Sequence, residues 1–141
     1  MFKRILVPLD GSEVAESILP YLENLATTHQ SKVVLLRVAL AHTLPGQDEI
    51  KAEVEAVREA EDYLKGVEDG LKKKGFDVES HVRYGKGADE IVDFCHEPDI
   101  DAVAMFTHGR TGVGRWLMGS VAEKVVRHCP LPVVLFRPEK Q

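Results

Sequence analysis

Four glycines, Gly109, Gly112, Gly114 and Gly119, fall within the fifteen residues FTHGRTGVGRWLMGS that span positions 106–120. Glycines let backbone N–H groups converge without a Cβ in the way, and a helix N-terminus aimed at the same point adds its dipole; together they make a phosphate cradle. The stretch offers both, because Ser120 opens a helical pattern carried by Val121, Ala122, Val125 and Val126. Ser120 and Glu123 also have the spacing of a capping box, so the serine hydroxyl serves either the helix or an anion. Arg110 is the best-placed basic side chain for that anion, and a solvated loop arginine is the equal alternative. Asp10, at the end of the apolar run that opens the chain, is the candidate for an opposite wall. Its carboxylate suits a ribose hydroxyl or a divalent metal riding on phosphates. Its other role would be to cap the following helix, which Ser12 can also do.

Competing chemistries fail on residue type. The run GRWLMGS has the glycine spacing of a Walker loop but no lysine before the serine, so the point charge on the phosphates is missing. Gly112-Val-Gly114 lacks the third glycine of a dinucleotide fingerprint. A phosphoacceptor site would need a carboxylate after the third strand, where the chain has Arg83-Tyr84-Gly85. Asp10, His108 and Ser120 do not form a hydrolase triad, because no GxSxG elbow exists. No residue is placed as a general base, so efficient catalysis is not expected. Trp116 and Leu117 are read as packing the loop down or touching a partner.

The elements that must position these groups alternate along the chain. Apolar strands are read at 3–9, 32–39, 76–84, 100–106 and 132–136, and helical patterns at 15–26, 48–74, 89–96 and 121–126. Pro20 should kink the first helix. The long helix has a stripe whose spacing also fits a coiled coil, but Glu61 on the seam and Gly66 and Gly70 favour packing on a sheet. This βαβαβαβαβ order predicts an α/β three-layer sandwich of Rossmann-like or flavodoxin-like layout, a five-stranded parallel sheet of order 3-2-1-4-5. Ligands bind such sheets beyond the carboxyl ends of the strands where the order reverses. That point lies between strands 1 and 4, where Asp10 and the glycine-rich stretch emerge.

Size and charge bound the partners. A chain of 141 residues, 44% hydrophobic and 29% charged, reads as one soluble domain, residues 1–141. Its 23 acidic against 18 basic residues give a net charge of −5, which disfavours binding along a nucleic-acid backbone. No segment approaches the ~20 apolar residues of a membrane helix, and the N-terminus lacks a secretory pattern. Cys95 and Cys129, far apart and without metal spacing, read as separate buried thiols in a reducing cytoplasm.

Four segments together are similar to the universal stress protein family: VPLDGS at 7–12, THGRTG at 107–112, LMGSVAEKVV at 117–126 and CPLPVV at 129–134. The resemblance covers the whole chain. It implies a Rossmann-like fold, a homodimer paired along the last strand (132–137 here), a cytoplasmic stress-response role and, in one branch, ATP binding with Mg²⁺. That branch carries a glycine, two residues, a glycine, nine residues, then Gly-Ser or Gly-Thr. Gly109 and Gly119-Ser120 match; the first glycine falls at position 106, where this chain has phenylalanine. By the resemblance, Pro8 shapes the strand-1 wall, Asp10 holds ribose or phosphates with or without a metal, and Val38 meets adenine through its backbone. Met105 lines the base and sugar, and Gly109, Gly119, Ser120 and Val121 bind phosphates. Phe106 keeps its N–H. A ring in the cleft would obstruct ribose or stack on a ligand, leaving the alternative of a non-nucleotide dimeric interaction module; a ring in the core would cost nothing.

Overall fold

The computed structural model describes residues 1–107 and 118–137. Its five strands are β1 (Arg4–Pro8), β2 (Lys32–Ala39), β3 (Asp77–Tyr84), β4 (Ala102–Phe106) and β5 (Val133–Phe136), and they lie in the order β3-β2-β1-β4-β5. Every pairing is parallel, so the sequence-derived α/β fold and strand order hold. The helices are α1 (Glu13–Glu16), α2 (Leu19–His29), α3 (Glu49–Lys73), α4 (Gly87–Phe94) and α5 (Ser120–His128).

Burial follows from connectivity. Parallel strands need crossovers, the crossovers place helices on both faces, and central strands must then be apolar on both sides. Ile5, Val7, Val33, Leu35 and Ala104 face one layer with Ile18 and Leu22 of the α1–α2 segment and Leu64 and Leu71 of α3. Leu6, Val34, Leu36, Val103 and Met105 face the other, with Ile91 and Phe94 of α4 and Ala122 and Val125 of α5. Edge strand β3 is mostly half-buried, as its polar alternation requires.

One helix departs from expectation and the long one follows it. The first does not kink but breaks: Pro20 sits in the opening turn of α2, where its missing N–H would have had no intrahelical partner. The segment 17–18 joins it to the single turn of α1. The long helix packs on β2 and β3 rather than on a second helix. Asp48 caps it, Oδ1 accepting from the N–H groups of Ile50 and Lys51 at 3.1 Å each. Gly75, at φ +92°, makes the left-handed exit into β3. Among the described residues, no helix is long and apolar enough to cross a membrane.

Candidate functional site

The sheet is incomplete at the point where its order reverses. The β1–β2 ladder runs for five pairs, from Arg4↔Lys32 to Pro8↔Leu36, and continues with the Leu9 N–H donating to Leu36 O at 2.9 Å. The β1–β4 ladder has only Ile5↔Ala102 and Leu6↔Val103, although β4 continues to Phe106. Beyond those two pairs β1 and β4 are no longer paired, and this gap in the ladder, at the carboxyl ends, is where a sheet of this order is expected to have its ligand crevice.

Two candidate residues present backbone to this crevice. Successive peptide groups of a strand turn alternately to its two neighbours. Since Leu36 faces β1, Val38 does too, and its N–H and C=O point past the end of that strand. The N–H groups of Val103 and Thr107 donate to Pro132 O and Phe136 O, both at 2.9 Å, so the odd residues of β4 face β5. Phe106 is therefore turned toward β1, its peptide N–H and C=O aimed at the crevice. Its ring goes elsewhere. The residue is 7% exposed and joins the core on the α1–α3 side, with Val7, Leu9, Ala15 and Ile18. Met105, equally buried, lies in the opposite layer, where half-buried Val38 packs.

Asp10 is half-buried at the end of β1. Its Oδ1 accepts from the Ser12 N–H at 2.9 Å and from Ser12 Oγ at 2.5 Å. Ser12 Oγ in turn accepts from the Ala15 N–H at 3.1 Å, so the serine caps α1 and the aspartate braces the serine. Pro8, half-buried, ends the paired part of the strand.

At α5 the expected capping box is absent. The N-cap is Gly119, not Ser120, at φ −63° and ψ 156°, and no side chain caps the helix. Glu123 instead pairs with Arg127, 2.8 Å away along the helix. Ser120 therefore already lies inside the first turn, where the N–H groups of a helix start have no intrahelical acceptor. Ser120 and Val121 are both exposed there. The Gly119 N–H donates to Thr107 O at 2.6 Å, which ties this helix start to the end of β4. Backbone donors and a helix dipole thus stand beside the crevice. Gly109 and Arg110, like His108, Gly112, Gly114, Trp116 and Leu117, lie outside the described residues.

Two residues not singled out from the sequence join this region. Arg37 of β2 lies with its Cζ 5.2 Å from the centre of the Tyr63 ring. A methyl group added to Gly11, which holds φ +83°, would collide with that guanidinium, 3.0 Å from Cζ and closer to Nη1. The Tyr63 hydroxyl is buried without a hydrogen-bond partner. Burial, with the nearby Glu16 carboxylate, pushes its pKa from 10.0 up to about 12, Arg37 opposing and Asp10 adding. The signal in the sequence was an arginine inside the otherwise apolar run VVLLRVA at 33–39. The two cysteines also converge: the Cys95 thiol is buried, and burial first, then the neighbouring Cys129 thiol, pushes its pKa up.

Cavities also lie elsewhere. A groove of about 300 Å³ between the α1–α2 segment and α3 is walled by Leu19, Pro20 and Leu71, with Lys74 and Glu23 paired at 2.7 Å on its rim. One of about 280 Å³ is lined by Arg4, His81 and Arg83, but Arg4 already pairs with Glu79 and Arg83 with Glu97. Among the described residues no three His, Cys, Asp or Glu side chains converge. A divalent ion at Asp10 would fit only as Mg²⁺ often does, held by one carboxylate plus phosphates and water.

A doubly covered parallel sheet, split at its switch point beside an uncapped helix start, defines a three-layer α/β protein of the kind that takes small anionic ligands at that split. The family model described as the universal stress protein family matches residues 1–137, and the chain belongs to that family. Universal stress protein MJ0531 of Methanocaldococcus jannaschii is 31% identical over 147 residues, covering 100% of this chain and 86% of that protein. The solved structure of MJ0577, 29% identical, superposes with a TM-score of 0.83 over 100% of this chain and 99% of its own. A universal stress protein from Arabidopsis thaliana solved with AMP bound has the same fold at 15% identity (TM-score 0.63, 97% and 92% covered).

Proposed function

We propose that this stress-response protein binds an adenine nucleotide, ATP with Mg²⁺, in the β1/β4 crevice, as a single-domain cytoplasmic homodimer that signals by its bound state. One observation carries the reading: backbone groups of Val38 and Phe106 turn toward the place where the β1–β4 ladder stops, and the start of α5, without a side-chain cap, is tied to the end of β4. In this reading the peptide of Val38 meets the adenine edge and Met105 lines the sugar. Asp10 accepts from a ribose hydroxyl, Ser120 and Val121 donate N–H groups to phosphate oxygens, and Gly119, whose own N–H is taken by Thr107 O, lets the phosphates approach without a Cβ in the way, with Gly109 and Arg110 on the remaining side. The nucleotide supplies the charge that these donors neutralise. The AMP complex at 15% identity supports the fold alone, so the case rests on this chain's own backbone.

The alternative of an interaction module with a blocked cleft needed the Phe106 ring in the crevice; its place in the core removes that ground. Dimerisation through β5 draws its support from a half-exposed strand at the sheet edge, whose outer N–H and C=O groups are unpaired within the sheet. The test is thermal shift and calorimetry with ATP and Mg²⁺. A ligand that binds only the folded state at 100 times its Kd raises stability by ~2.7 kcal/mol. No stabilisation at millimolar ATP overturns the reading.

A further inference from the structure

Arg37 is an anomaly in a buried strand. Its side chain lies on the α1–α3 side of the sheet, the side of Leu35 two residues before it. A half-buried cation there needs compensation, since desolvating a charge is costly. Part of that compensation is the face of Tyr63, over which a guanidinium is held by the ring quadrupole. On another side it meets the β1–α1 turn. The guanidinium occupies the space that a Cβ at position 11 would need, so glycine at φ +83° is what allows the turn to settle on it. Asp10 immediately precedes that glycine, and its carboxylate, with that of Glu16, stands close enough to Tyr63 to influence its hydroxyl.

We propose that Arg37 is a positioning residue of the nucleotide site: seated on Tyr63 of α3, its guanidinium props the Gly11 turn and so aims the Asp10 carboxylate at the ribose. The inference rests on the nucleotide reading above. The turn is then held from two sides. Asp10 and Ser12 close it from within, through the 2.9 Å and 2.5 Å hydrogen bonds. Arg37 supports it from below, against the one residue of the turn free to swing through left-handed and right-handed φ alike. A flat, rigid fork suits that seat, whereas lysine has a compact head on a flexible stem and methionine has neither plane nor charge. Arg37 thereby links the long helix to a carboxylate it never needs to touch.

Calorimetry with ATP, 2′-deoxy-ATP and 3′-deoxy-ATP, each with Mg²⁺, separates positioning from mere stability. The wild type should prefer ATP over at least one deoxy form by about tenfold or more, the cost of losing one hydrogen bond to a charged group. Asp10→Asn, Arg37→Met and Arg37→Lys should each bring that preference to within about threefold, in protein shown by its melting curve to be folded at the assay temperature. Should Arg37→Met fail to fold, Arg37→Lys decides. A lowered melting temperature with the ribose preference intact means a purely structural arginine and overturns the proposal. A wild type that binds ATP without ribose preference overturns it too, while the nucleotide reading stands. A wild type that binds none of the three sinks both.

Discussion

Replacing Phe106 with glycine restores the family's ATP-binding pattern and at the same time dismantles part of the core. Which effect dominates follows from where the ring lies. Phe106 is 7% exposed within the cluster formed by Val7, Leu9, Ile18 and Leu22. Truncating a core phenylalanine to alanine costs ~3–5 kcal/mol, through lost transfer energy and the cavity left behind. Going on to glycine in a strand adds ~0.5–1 kcal/mol of backbone entropy. The sum, about 4–6 kcal/mol, is a large share of the ~5–15 kcal/mol that holds a typical domain together. At about 3 °C per kcal/mol for a chain of this size, the melting temperature should fall by roughly 10–20 °C. Nucleotide affinity, measured well below the new midpoint, should not rise, because no ring leaves the crevice. The measurements are urea and thermal unfolding of Phe106→Gly and Phe106→Leu, followed by ATP titration of each. A Phe106→Gly protein within ~1 kcal/mol of wild-type stability that binds ATP more than about tenfold tighter would place the ring in the crevice and refute the reasoning.

Three further outcomes follow from named groups. Gly119→Val should lower ATP affinity by at least about tenfold while the protein still folds, since φ −63° suits any residue but a branched side chain would stand at the phosphate position; unchanged affinity argues against the cradle. Tyr63→Phe removes a buried hydroxyl that has no partner and should leave stability at neutral pH unchanged or raised by up to ~1 kcal/mol. The raised pKa of Tyr63 means that the unfolded chain loses this proton first, so its contribution is complete below pH 10 and lost as pH rises to about 12. The alkaline limb of stability should therefore flatten in Tyr63→Phe; a variant losing more than about 1 kcal/mol at neutral pH shows that the hydroxyl is bonded after all. Finally, Cys95 should react with thiol reagents at neutral pH far more slowly than Cys129, because burial disfavours its thiolate and Cys129 is the more exposed of the two; equal rates in folded protein contradict the packing.

Much of the site could be read along the chain because it is made of local signals. Alternating strand and helix patterns order the layers, and a parallel sheet of that order has its switch point beside Asp10 and the start of α5. Glycine at 119 and aspartate at 10 stand out in the sequence as site candidates because few residue types could take their places. Cap position was less legible: serine and glycine both open helices, and only the backbone shows that Gly119 takes the cap and Ser120 falls inside α5. Pro20 likewise marked a disturbance, and packing turned it into a break with the proline in the opening turn of α2.

What tertiary structure alone decided is which way things face. A strand residue presents its side chain to a layer and its peptide to a neighbour, and position in the sheet sets both. That is how Phe106 places its ring in the core while its backbone faces the crevice, a distinction no letter encodes. Pairings between distant residues were equally invisible. Arg37 with Tyr63 and Gly11, and Cys95 with Cys129, meet only because strands and helices far apart in the chain pack into the same layer. Residue type and local period write the elements and the switch point. The contacts that aim its groups arise when the layers close.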